Sequence, residues 1–130
     1  MSKKVILSIS VLLFSFTLLF AGGQAEQQEI ENDYTDPAVL QRLMASDDQP
    51  YTLVDVRTPA EFASGHIPKA VNIPVNSIGS TGVDAPKDSL VIVYCRSGNR
   101  SAVAASQLKE LGYTSVVDFG GINRWPYDIE

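Results

Sequence analysis

The chain has 130 residues, of which 45% are hydrophobic, with a formal net charge of −5 and a single cysteine. An acidic chain of this kind does not bind nucleic acid or an anionic membrane through its net charge, and one cysteine cannot form an internal disulfide. The length suffices for an apolar core without such staples.

In chain order, the basic stretch Ser2-Lys3-Lys4 precedes an apolar run from Val5 to Phe20 and the small residues Ala21-Gly22-Gly23-Gln24-Ala25. This is the order of a secretory signal peptide, here residues 1–25, with cleavage after Ala25 or after Gly23. A retained anchor is the alternative, because the run is only slightly short of a membrane span. Cleavage would remove Lys3 and Lys4 and no other charge, taking −5 to −7. The expected location is the periplasm or the exterior of the cell, with no stable membrane association after cleavage. Residues 26–34 are acidic, glutamine-rich and without apolar period, and are expected to form a flexible lead-in. One folded domain is expected over 35–130.

Thr35-Asp36-Pro37 opens a helix with a cap residue and an early proline, and Val39, Leu40, Leu43 and Met44 follow at helical spacing. Ser46 to Pro50 ends it. Tyr51 to Val56 is a β-type run. Thr58-Pro59-Ala60-Glu61 then has the form of a capping box with proline at the first helical position. Gly65-His66-Ile67-Pro68 breaks that helix, and Ala70 to Pro74 is a short strand stopped by proline. Asn76 to Asp88 is expected to be a polar loop. A strand, Leu90 to Tyr94, leads into Cys95, and a helix from Ser101 to Leu111 leads out, stopped at Gly112. Ser115 to Phe119 is a last strand, followed by Gly120-Gly121 and a tail with Trp125 and Tyr127. Strands alternating with helices, without tight hairpin signals, predict an α/β domain with a mostly parallel sheet. Ligand sites in such sheets lie beyond the carboxyl ends of the strands, where Asp55-Val56-Arg57, the Cys95 loop and Gly120-Gly121 all fall.

A free cysteine is more often an inert core thiol than a nucleophile. The loop around Cys95 argues otherwise. Between a strand and a helix, Cys95-Arg96-Ser97-Gly98-Asn99-Arg100-Ser101 can curl at Gly98 and point successive amides at one sulfur. The helix N-terminus adds partial positive charge, which lowers a thiol's pKa. Arg100, and with it Arg96, offers forked donors for an oxyanion. Cysteine phosphatases place five residues between cysteine and arginine; four lie here, and Tyr94 replaces a preceding histidine. The shorter cup fits a sulfur atom on Cys95 better than a phosphoryl group.

With these motifs assembled, the chain from about Asp36 to Trp125 resembles a single-domain rhodanese, a thiosulfate sulfurtransferase-like module of the small exported kind. The resemblance is carried by Asp55 through Pro74, by Cys95 through Ser101, and by Phe119-Gly120-Gly121 with Trp125. It implies a three-layer α/β fold with a mainly parallel, five-stranded sheet flanked by helices. It implies Cys95 as the sulfur-accepting nucleophile and the amides of Arg96, Ser97, Gly98, Asn99, Arg100 and Ser101 as the cradle of a persulfide. Arg100 would bind the sulfonate end of a donor such as thiosulfate, with Arg96 nearer solvent. The exchange would need no metal or organic cofactor. Its partners would be a small sulfur donor and a thiol or cyanide acceptor, and the protein would be a monomer. A non-catalytic sulfur carrier of the same fold is the main alternative, and a cysteine phosphatase or arsenate reductase a weaker one.

The remaining polar residues near the site are read as supports. Asp55 and Arg57 are expected to pair with neighbouring backbone and with charges such as Glu61, because a polar turn at a strand end must satisfy its own groups. His66 is expected to be a hydrogen-bonded turn residue. Trp125 fits a pocket wall and a core aromatic equally well. Asn99-Arg100-Ser101 matches a glycosylation sequon, read as chance inside a tight loop.

Overall fold

The computed structural model describes residues 32–130. The expected signal peptide and most of the expected lead-in lie outside the described residues. Helix α1 (Pro37–Ala45) starts where Asp36 accepts hydrogen bonds from the amides of Ala38 and Val39 at 2.8 and 3.4 Å. Strand β1 (Tyr51–Asp55) follows, then α2 (Pro59–Ser64), β2 (Val71–Asn72), α3 (Val75–Thr81), β3 (Leu90–Cys95), α4 (Asn99–Glu110) and β4 (Ser115–Gly121). A single 3₁₀ turn, Ile122–Arg124, opens the C-terminal tail.

The strands form one all-parallel sheet in the order β2-β1-β3-β4. Every residue of β3 is buried, as expected of a central strand covered on both faces. Its two side-chain rows separate the core into halves. Val91, Val93 and Cys95 pack with Ile78 of α3 and with Ala104, Ala105 and Leu108 of α4. Leu90, Ile92 and Tyr94 pack with Leu40, Leu43 and Met44 of α1 and with Phe119 and Trp125. The period-2 geometry of a strand thus makes the three layers and assigns Cys95 to the face that α4 covers.

The sheet has four strands among the described residues, of the five that the resemblance implies. One sequence expectation changes. The segment expected as a polar loop over 76–88 contains α3, whose chain leaves Pro74 with Ile78 as its buried side chain. Its asparagine, serine, threonine and glycine content is weakly helix-forming, so local propensity favours a loop there. Tertiary contact holds it instead: Ile78 is fully buried, and Gly79 lies so close to Gln107 of α4 that an added Cβ would sit 3.0 Å from that side chain.

Candidate active site

The cup around Cys95 follows from how α4 begins. Gly98 is its N-cap, with φ 108°, and offers no side-chain cap. The first amides of a helix lack intrahelical partners. Here the sulfur serves in place of a cap: the Gly98 amide donates to Cys95 Sγ at 3.0 Å. Burial pushes the thiol pKa up, but the Ser101 hydroxyl and the amides of Ser101, Gly98 and Ser97 push it down and prevail, leaving it below the ordinary 9.0. Sγ lies 3.6 Å from Ser101 Oγ, toward which the neutral thiol donates. That hydroxyl also has the Gly98 and Gly120 carbonyls within reach, at 3.0 and 3.3 Å. Rotation of its one proton toward sulfur would serve the thiolate.

The adjoining strand closes the cup from the side. A register shift sets Val93 beside Asp118 but Tyr94 beside Gly120, so Phe119 is an extra residue in β4. This bulge draws Gly120-Gly121 over the cysteine loop. A Cβ on Gly121 would meet the Arg96 carbonyl at 2.6 Å and Ser97 Cα at 2.8 Å, both backbone atoms that cannot swing aside. Close approach therefore requires glycine at 121.

The two arginines of the loop differ. Arg96 is exposed, and its side chain has no hydrogen-bond or ionic partner among the described residues. Arg100 donates from Nη1 to Glu61 Oε1 at 2.7 Å and from Nη2 to Glu61 Oε2 at 3.0 Å, a two-point pair. Glu61 in turn accepts from the Thr58 amide and hydroxyl, at 3.3 and 3.1 Å, while its own amide donates to Thr58 Oγ1. The capping box of α2 thus holds the carboxylate that grips the arginine of α4. The Arg100 bond is the main reason that the Glu61 carboxyl is lowered to about 2, against an ordinary 4.5. Asn99, the first residue of α4, is exposed.

Glu61 lies near enough to Arg57 to act on its charge, but makes no hydrogen bond to it. Arg57 is 6% exposed and grips the fully buried Asp55, with Nη2–Oδ2 at 2.6 Å and Nε at 3.0 Å from both oxygens. Its Nη2 also donates to the Gly65 carbonyl at 2.6 Å. Two residues apart on a strand end, these partners meet without help from α2, which leaves Glu61 free to turn toward the cysteine loop.

His66 lies away from the sulfur. Its Nδ1 is 3.0 Å from the Phe62 carbonyl, its ring stacks on Phe62, and its backbone exchanges two hydrogen bonds with Glu130. Trp125 takes both of the positions open to it. It is 9% exposed in the core, edge-on to Phe119, and also lines a cavity of about 580 Å³ shared with Arg57, Glu61, Arg96, Asn123 and Tyr127. Its indole N–H donates to the Asp128 carbonyl at 3.1 Å.

Residues 36–127 match the family model of the rhodanese-like domain. The chain belongs to the rhodanese-like family. A sulfurtransferase from Allochromatium vinosum is 42% identical over 95 residues, covering 72% of this chain and 87% of that one. A thiosulfate sulfurtransferase of Arabidopsis thaliana chloroplasts is 38% identical over 114 residues, covering 78% and 92%. Among solved structures, a rhodanese from E. coli with bound anions superposes with a TM-score of 0.57 at 32% identity, covering 62% of this chain and 98% of that one. Sulfur transfer, in the general sense of this rhodanese family, is the chemistry of the domain.

Proposed function

We propose that Cys95 carries sulfur as a persulfide between a small donor and a thiophilic acceptor. Taking thiosulfate as the donor, the Cys95 thiolate attacks the outer sulfur. The new S–S bond forms as the old one breaks, and sulfite leaves with the bonding electron pair. The terminal sulfur of the persulfide then passes to a thiol, or to cyanide as thiocyanate in an assay, regenerating the thiolate. The loop amides stabilise negative charge on sulfur in the resting and loaded states, so no proton needs to be removed by a base. His66 accordingly has no role in the exchange. No cofactor is invoked.

The observation that carries this reading is the 3.0 Å bond from the Gly98 amide to Sγ, at a helix start without any other cap. Incubation with thiosulfate and cyanide should yield thiocyanate, and mass spectrometry should find one added sulfur on Cys95 before cyanide is supplied. Cys95→Ser should abolish both. Turnover unchanged by that substitution would refute the reading. We place the protein outside the cytoplasm on the strength of its N-terminal sequence, and cell fractionation that found it in the cytosol would reverse this.

A further inference from the structure

The Cys95 loop carries two arginines, but only one of them is unpaired. Arg100, the one expected to take a donor's sulfonate, already spends two of its N–H bonds on Glu61. Glu61 is not a casual surface partner. Thr58 holds it from the capping box of α2, so it cannot leave Arg100 without loosening the start of that helix. Glu61 lines the cavity of about 580 Å³ beside Arg96, while Arg100 lines a second one of about 520 Å³ with Val103 and Gln107, so the ion pair joins the two walls. Cys95 itself is 1% exposed. The buried thiolate is thus close enough to feel Arg100, whose charge Glu61 largely offsets.

We infer that Glu61 is a specificity-determining residue: by holding Arg100 it disfavours doubly charged donors, so that the enzyme takes sulfane sulfur more readily from donors of lower charge than from thiosulfate. The inference rests on the Cys95 persulfide reading and sharpens its substrate class. The physical basis is that the same field acts twice as strongly on a dianion as on a monoanion. Glu61 remains a carboxylate throughout the neutral range, so the discrimination does not switch off near pH 7.

Two donors with the same reacting sulfur but different charge test this: thiosulfate, a dianion, and methanethiosulfonate, a monoanion. In each, the thiolate takes the outer sulfur while sulfite or methanesulfinate leaves with the electron pair, and total charge is conserved. The rate of sulfur gain on Cys95 is measured by mass spectrometry at low ionic strength. Glu61→Gln retains a residue that serves in capping boxes, so α2 keeps its start. It should speed transfer from thiosulfate about tenfold and from methanethiosulfonate about threefold, raising the ratio about threefold. The further change Arg100→Gln should cancel that rise, and 1 M salt should shrink it. A thiosulfate-to-methanethiosulfonate ratio equal in wild type and Glu61→Gln, with Cys95 loaded by both donors, would overturn the inference alone. Absence of any sulfur gain in either protein with either donor would overturn the persulfide reading and the inference together.

Discussion

The domain contains two arginine–carboxylate pairs with nearly the same bond lengths and quite different environments. Asp55–Arg57 joins residues two apart at the end of β1, and both are buried. Glu61–Arg100 joins residues 39 apart on two helix starts, with each side chain about one-third exposed. The first pair is local and dry. It also takes up the Gly65 carbonyl and lies 5.9 Å from the Tyr94 ring, whose hydroxyl accepts from the Ile67 amide at 3.1 Å. Burial, and after it the charge of Asp55, keeps that phenol protonated far above its ordinary range. The second pair is long-range and wet, and its carboxylate lines the cavity beside Arg96. Like chemistry therefore serves two ends: one ion pair fixes the scaffold beneath the site, and the other sets its charge.

Breaking the first pair should have the larger effect. Asp55→Ala leaves the Arg57 guanidinium buried without its counter-charge, and such a loss typically costs about 3–5 kcal/mol. Chemical denaturation at neutral pH should find a loss of this size, and with it any loop geometry that depends on β1. A loss below about 1 kcal/mol would mean that water or Gly65 alone satisfies Arg57, and the contrast between the two pairs would disappear. Raised salt should leave this difference almost unchanged, since buried pairs are poorly screened.

The difference also explains what could be read from the chain alone. Thr58-Pro59-Ala60-Glu61 announces a helix start because a capping box needs only residues three apart, and the structure contains both of its hydrogen bonds. The strand into Cys95 and the helix after it were legible from a buried run and an alanine-rich one, and α4 begins only two residues earlier than expected, at Asn99. Parallel order was legible from alternation. The second use of Glu61 was not, because a contact 39 residues distant leaves no local pattern. Neither was the reason for Gly121, whose small size matters only once a bulge at Phe119 has brought β4 against Arg96 and Ser97. Helix α3 is not legible in the chain, because its own residues favour a loop and only packing against α4 decides otherwise.

The smallest expected effect falls on stability at the second pair. An ion pair this exposed contributes about 0–1 kcal/mol, so Glu61→Gln should lower neutral-pH stability by no more than about 1 kcal/mol even where it changes donor choice. Its mark should be seen in acid. The Glu61 carboxyl is lowered in the fold to about 2 from an ordinary 4.5, chiefly by the bond from Arg100. A depressed carboxyl contributes stability that is fully present above its unfolded pKa and is lost as pH falls through its folded pKa. Wild type should therefore lose this contribution progressively between pH 4.5 and about 2, while Glu61→Gln has none to lose there. Denaturation midpoints measured across that window should converge as the pH drops. If the gap between the two proteins stays constant through the window, the carboxylate is not held by Arg100 in solution, and the charge argument for donor choice loses its footing with it.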